Sequence, residues 1–405
     1  MMNKRSLLSG AGGAFAGAAL AKLSQPFAAY ADDTTSLPFA NGDRSLVRYP
    51  GKRPLIRLTS RPPQLETPFS VFNEGVVTPN DAFFVRYHLA DIPLSIDPDA
   101  FRIEVKGKVD SQLSLSLSDL KTGFEPVEIV AVNQCSGNGR GFFEPRVAGG
   151  QLASGAMGNA RWRGVPLKAI LDKAGVQAGS RQVTFNGLDK PVLPETPDFV
   201  KALDIEHARD NEVMIAFAMN GEELPWLNGY PVRLVVPGYY GTYWVKHLNE
   251  ITVIDSVFDG FWMKTAYRIP DNNCACTEPG KAAAATVPIE RFDVRSFITN
   301  LADGAKVNAK NETLIKGIAF DGGYGITEVS LSSDEGQNWS AAKLGPDLGR
   351  YSFREWQTAV RLPAGKHELK VRAINRIGQS QPMAPLWNPT GYMRNVVETV
   401  RVQAG

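Results

Sequence analysis

The chain has 405 residues, 43% of them hydrophobic, enough to bury a large core and to form two domains. Its 44 basic side chains nearly balance 42 acidic ones, for a net charge of +2, so neither nucleic acid nor a charged membrane face is indicated as a partner. The four histidines (His88, His207, His247, His367) are scattered, with no His-Glu-x-x-His and no Cys-x-x-Cys pair, which argues against a zinc site and against a c-type haem attached to this chain.

In chain order, Lys4-Arg5, an apolar Ala/Gly-rich run from Leu7 to Leu23, and Ala29-Tyr30-Ala31 form the pattern of an export signal over residues 1–31, cleaved before Asp32. The run is too broken by glycine to span a membrane well, so the mature chain is expected to have no membrane span. Asn3-Lys-Arg-Ser-Leu-Leu8 is similar to a twin-arginine signal, which implies a protein delivered to the periplasm already folded; a general secretory signal is the alternative.

Residues 32–80 are proline-rich (Pro38, Pro50, Pro54, Pro62, Pro63, Pro68, Pro79), which predicts an irregular extended arm. Phe83 to His88 alternates as a strand and puts Arg86 and His88 on one face, where an anion would suit both. Phe101 to Gly107 is another strand, and Ser116 to Gly123 a short helix with a serine cap. Ile129, Val130 and Val132 then make a buried strand that ends at Cys135, followed by the small-residue loop Ser136-Gly-Asn-Gly139 and by Arg140. A cysteine so placed is either a buried structural thiol or a thiolate ligand of a metal.

Residues 141–160 make a Gly/Ala-rich loop long enough to be expected to form part of a site. A helix starts at Pro166, buries Leu167, Ile170 and Leu171, and stops at Gly175. Arg181–Phe185, Glu212–Met219, Pro231–Val236 and Tyr243–Ile254 read as strands. Strands and helices mix without βαβ alternation, so the class is α+β. Cys274-Ala275-Cys276 either closes a very short disulfide ring or leaves two thiols on a loop.

Past about residue 285 the texture changes. Short strands bounded by Ala302-Asp-Gly, Asp321-Gly-Gly, Ser333-Asp-Glu-Gly and Pro363-Ala-Gly predict an immunoglobulin-like β-sandwich, with Trp339 and Trp356 as core or interface residues. The expected division is therefore 1–31 signal, 32–285 catalytic domain and 286–405 sandwich.

Several motifs in one order carry a family likeness. Phe84-Val-Arg-Tyr-His-Leu89, Asn133-Gln-Cys-Ser-Gly-Asn-Gly-Arg140, Ala160-Arg-Trp-Arg-Gly-Val-Pro-Leu167, Met219-Asn-Gly-Glu-Glu-Leu-Pro225, Gly229-Tyr-Pro-Val-Arg-Leu-Val-Val-Pro-Gly238, Val245-Lys246 and Ala384-Pro-Leu-Trp-Asn-Pro-Thr-Gly391 together resemble the sulfite oxidase family of molybdenum enzymes, in particular its exported bacterial sulfite dehydrogenases. The resemblance implies a molybdopterin-binding domain followed by a dimerisation-type sandwich, and a molybdenum–pyranopterin held by one protein cysteine, Cys135. It implies an anion pocket of Arg86, Arg140, Trp162 and Tyr267, and pterin or phosphate contacts from His88, Arg233, Lys246 and Asp189. Where many members carry a histidine this chain has Asn228, so that contact is Asn228 or lost. A further pocket arginine near the carboxy terminus has no clean match, Arg394 being nearest.

The implied reaction is oxidation of sulfite to sulfate, with electrons passed singly to a c-type cytochrome or a separate haem subunit, since this chain has no haem motif. A homodimer and a heterodimer with a haem subunit both fit. The rivals are a periplasmic molybdenum sulfoxide reductase and a secreted non-catalytic binding protein. Two pocket arginines favour an anionic substrate over a neutral sulfoxide.

Overall fold

A computed structural model describes residues 33–405, so the export-signal expectation lies outside the described residues. The proline-rich arm is more regular than its composition suggested. Thr34–Ser36, Asp43–Val47, Leu55–Ser60 and Pro63–Glu66 pair in sequence order, and Val85–Arg86 closes a five-stranded sheet. Its prolines fall in turns and loops between strands or, as Pro63 does, at the first residue of a strand, where the missing N–H breaks little of the ladder. Leu55, Leu65, Val85 and Tyr87 bury a small core of their own. The strand expected over 83–88 shrinks to Val85–Arg86.

The central region is built on two sheets. One runs in the order Lys201–Asp204, Gln182–Gly187, Leu248–Ile254, Ile103–Gly107, Leu113–Leu115, with one parallel pair between Leu248–Ile254 and Ile103–Gly107. The other pairs Glu222–Glu223, Met214–Met219, Met157–Pro166 and Val127–Gln134 antiparallel, with Arg233–Val235 added beside Met214–Met219. The expected strand over Tyr243–Ile254 starts only at Leu248, because Gly241–Tyr243 is a single 3-10 turn and His247 takes a left-handed φ of 50°.

Both predicted helices are present. In Leu117–Thr122 the Ser116 side chain accepts from the Asp119 amide while the Asp119 carboxylate accepts from the Ser116 amide, a reciprocal cap. Leu167–Ala174 buries Leu167, Ile170 and Leu171 and ends at Gly175 with φ 71°, a backbone that glycine adopts freely.

From Arg295 on, the chain is all β. One sheet orders Arg295–Ile298, Glu312–Phe320, Arg354–Arg361 and Lys343–Leu344; the other orders Ala305–Val307, Glu398–Ala404, Gly365–Asn375, Ile326–Ser332 and Ser340–Ala341. Their inner faces bury Ile315, Val329, Trp356, Leu369 and Val371. The fold is thus α+β and mostly β, a mixed domain followed by an immunoglobulin-like sandwich, as expected. The sandwich is firmly joined to the rest: Phe69 meets Phe297 edge-on at 5.5 Å, and the Val132 amide donates to the Tyr351 carbonyl at 2.9 Å. Cys274 and Cys276 form a disulfide, which decides between the two states left open by the sequence.

Candidate active site

Cys135 is the first residue past the strand Val127–Gln134, and it is a free, buried cysteine. Its amide donates to the Ala156 carbonyl at 2.9 Å and its carbonyl accepts from Asn138 N at 3.0 Å, so the turn after it is closed on both sides. Asn138 Oδ1 accepts from Ala156 N at 3.1 Å, and the buried Glu66 carboxylate accepts from the amides of Ala153 and Gly155, each at 3.1 Å. The Gly/Ala-rich loop is therefore pinned beneath the thiol. Gly137 and Gly149 leave space for the folded-back Arg140 side chain; a Cβ on Gly149 would stand 2.8 Å from its Nη1.

Above Cys135 opens a cavity of about 610 Å3, part of it open to solvent. Of the ten side chains expected at a site, eight line it: Arg86, His88, Cys135, Asp189, Asn228, Arg233, Lys246 and Tyr267. They come from five separate stretches of the chain, around residues 86–88, 135, 189, 228–246 and 267, and only tertiary packing brings them together.

The cavity has two ends of different chemistry. At one, Arg233 is buried, donating to the carbonyls of Asn228 at 2.9 Å and Trp244 at 3.1 Å, and burial pushes its guanidinium down to about 9. Lys246 lies over the Tyr87 ring and is held well below the usual lysine value by burial first and by Arg233 second. Asp189 opposes this only in part: burial raises its carboxyl to about 6, with Lys246 pulling the other way. Asn228 is spent on structure, accepting from Lys52 Nζ at 2.6 Å and donating to the Phe84 carbonyl at 3.0 Å. A concentration of buried cations with one weakly acidic carboxyl is a site for a polyanionic group such as a phosphate.

At the other end stands an aromatic wall. His88 stacks on Phe199 with centroids 3.7 Å apart, meets Trp262 at 5.1 Å, and its Nε2 is hydrogen bonded to the Tyr267 phenol. Burial, then Arg86, keeps His88 well below its ordinary value, so it is neutral at neutral pH. Burial likewise raises the Tyr267 phenol, which stays protonated. Tyr267 takes a φ of 60°, uncommon for an aromatic residue, at the junction between the helical turn Phe261–Lys264 and the strand Arg268–Pro270.

Trp162 and Arg140 are not among the lining residues. Trp162 is fully buried, with its indole N–H donated to the Ala131 carbonyl at 3.0 Å and the Arg233 guanidinium 5.1 Å from its ring centre. Its place is beneath the phosphate end, where it supports Arg233. Arg140 donates from Nε to Thr390 O at 3.0 Å and lies 4.8 Å above the Tyr392 ring, one ring removed from Tyr267. Arg394 is ion-paired to Glu398 and covers Phe142.

Sequence reasoning missed Ser136, Asn133, Thr242, Phe199, Lys201, Lys52 and Tyr392. Ser136 and Asn133 carried a signal, their positions beside the cysteine in one motif; the others are set by strand pairing and loop closure. Three of these, with Arg233, also test the fit of a pterin cofactor. Ser136 Oγ, Asn133 Oδ1, Thr242 Oγ1 and Arg233 Nε are buried, belong to cavity-lining residues, and find no hydrogen-bond partner within the protein. Buried polar atoms of this kind call for a polar ligand. A flat heterocycle with amide edges and a phosphate meets that need, and the soft sulfur of Cys135 suits a metal at its far end. Among the described residues no group of three His, Cys, Asp or Glu side chains is placed to hold a metal, so Cys135 would act alone, with the remaining ligands supplied by the cofactor.

Residues 89–262 match the model of the oxidoreductase molybdopterin binding domain, and residues 286–405 that of the Mo-co oxidoreductase dimerisation domain. The mitochondrial sulfite oxidase of Homo sapiens is 34% identical, over 91% of this chain and 68% of that protein. The sulfite oxidase of Gallus gallus is 32% identical, over 85% of this chain and 77% of that one. Among solved structures, the sulfane dehydrogenase SoxCD from Paracoccus pantotrophus superposes with a TM-score of 0.72 at 25% identity, over 91% of this chain and 88% of that one.

Proposed function

This chain belongs to the sulfite oxidase family of molybdopterin oxidoreductases, and from that premise we propose that it oxidises sulfite to sulfate and passes the electrons singly to a c-type cytochrome or a separate haem subunit. The observation that carries the reading is the cavity that joins Cys135, Arg86 and the Tyr267–His88 pair at one end to Arg233 and Lys246 at the other. Cys135 Sγ would hold the metal, Arg233 and Lys246 the cofactor's phosphate, and Ser136, Asn133 and Thr242 its polar edges. When bound, the molybdenum–pyranopterin supplies a two-electron centre competent for oxygen-atom transfer.

The chain's own residues do the rest. Arg86 lines the cavity, and its planar guanidinium fork suits a dianion. With neutral His88 in the tautomer that donates its Nε2–H to the Tyr267 oxygen, the phenol keeps its own proton to give to a developing anionic oxygen. Phe199 and Tyr267 give that end an apolar lining, with Trp262 and Tyr392 packed against them, and an apolar surround strengthens charge contacts. With several cations and one weakly acidic carboxyl around it, the cavity suits an oxyanion better than a neutral sulfoxide.

The finer claims rest on the same reading: a periplasmic enzyme with residues 1–31 as a folded-export signal, a catalytic unit over 32–285, and a sandwich over 286–405 that pairs two copies. A purified holoprotein would be assayed for molybdenum and pterin, for sulfite-dependent reduction of a c-type cytochrome, and for reduction of dimethyl sulfoxide in the same sample. We expect stoichiometric metal, sulfite turnover, and a Michaelis constant that climbs at least tenfold in Arg86→Met at unchanged metal content. Metal-loaded enzyme that ignores sulfite and reduces the sulfoxide would overturn the substrate assignment.

A further inference from the structure

Behind the aromatic wall lies a cation that the sulfite reading leaves unused. Lys201 opens the edge strand Lys201–Asp204, paired to Phe185, and its side chain is wholly buried. Nζ donates to the Trp262 carbonyl at 2.7 Å and stands over two tyrosine rings, 4.4 Å from the centre of Tyr243 and 5.3 Å from that of Tyr267. Among the described residues it takes part in no ion pair, and burial alone pushes the ammonium down to about 7.

A buried ammonium with one carbonyl and two π faces is poorly compensated. Such a group persists where its charge serves another group. Tyr267, one of the two rings under Nζ, lines the cavity, and the field of Lys201 reaches another lining residue: His88, bonded to the Tyr267 phenol, is held down by burial, then by Arg86, Lys246 and Lys201.

We infer that Lys201 is a positioning residue that sets the anion preference of the substrate end, acting through the ring of Tyr267 without touching substrate. The inference deepens the sulfite reading and rests on it. A cation against one face of the phenol withdraws electron density from the ring, which makes the O–H a stronger donor to an anionic oxygen. The carbonyl of Trp262 ties the same ammonium to the helical turn that leads into Tyr267, so charge and ring keep one geometry.

The test compares Lys201→Met, which keeps length and apolar volume, with Lys201→Arg, which keeps the charge, both as holoprotein with molybdenum and pterin measured. Lys201→Met should retain its cofactor while the Michaelis constant for sulfite increases about tenfold, the worth of about 1.4 kcal/mol, with kcat falling by less than that. Lys201→Arg should restore most of the loss. Added sulfate should raise the melting temperature of the parent protein more than that of Lys201→Met. If Lys201→Met does not accumulate, Lys201→Gln replaces it in both measurements. Loaded Met or Gln variants with parental Michaelis constants and an equal sulfate shift would overturn the assignment. Should the parent protein fail to oxidise sulfite, the function proposed above falls, and the sulfate shift still decides the role of Lys201.

Discussion

Tyr392 lies flat on Tyr267, ring centroids 5.5 Å apart and planes 8° apart, and so brings the segment before the last strand into the wall of the candidate active site. Arg140 rests on the other partner of that stack, 4.8 Å from the Tyr392 ring. The arginine that follows the cysteine therefore reaches the substrate end through an aromatic pair.

Removing one oxygen tests the phenol. Tyr267→Phe keeps the stack on Tyr392 and deletes the bond to His88. We expect kcat/KM for sulfite to drop by about 10–100-fold, toward the lower range for a positioned donor, with molybdenum content unchanged. Steady-state kinetics on metal-quantified enzyme read this directly, and parental kinetics would remove the phenol from the chemistry.

Cys135→Ser replaces a soft sulfur by a hard oxygen of similar shape at a buried position. Turnover should be abolished or nearly so, with the fold intact by circular dichroism. An active Ser variant would contradict the assignment of this thiol as the metal ligand.

Trp162 gives a contrasting expectation. It is fully buried, and its indole satisfies the Ala131 carbonyl. Trp162→Phe should lower stability by about 1–3 kcal/mol, from lost volume and the loss of the indole hydrogen bond. The Michaelis constant for sulfite should stay within a few-fold, because no atom of the indole lines the cavity. A large rise in that constant with an unchanged melting temperature would reverse this placement.

The buried acid under the loop predicts a pH effect on stability. Burial pushes the Glu66 carboxyl up to about 7, against the pull of the Ala153 and Gly155 amides. From the ordinary carboxylate range up to about pH 7, the native state therefore holds a proton that the unfolded chain has lost. Stability from this group is full at acid pH and disappears as pH rises through that window, by at most about 1.4 kcal/mol per unit. Comparing melting temperatures of the parent and Glu66→Gln from pH 4.5 to 8, the difference should move in the variant's favour up to about pH 7 and then level. A difference independent of pH would show that Glu66 titrates normally.

Much of this was legible in one dimension. The serine-capped helix, the helix that stops at Gly175, and the strand that ends on Cys135 follow from local rules of capping, glycine geometry and β-branched runs. The sandwich followed from turn residues at regular spacing. The arm was misread because prolines dominate its composition; their compatibility with turns and strand starts appears only once the pairing of Leu55–Ser60 with Pro63–Glu66 is seen. The family resemblance implies a pocket role for Trp162, yet a motif match carries no information about which side chains a strand turns into the core, and here the indole is fully buried outside the lining.

What the residues by themselves determined is the kind of protein: an α+β unit and a β-sandwich, one cysteine set before a glycine-rich turn, and the ordered motifs of a molybdenum enzyme. Only the tertiary structure decided which of those side chains share a cavity, that Asn228 is held by Lys52 from the arm, and that Lys201 stands behind Tyr267. The division has a physical cause. Capping, turns and strand patterns depend on neighbours a few residues apart, whereas burial, charge and hydrogen-bond partners at a site depend on which distant segments the core packs together.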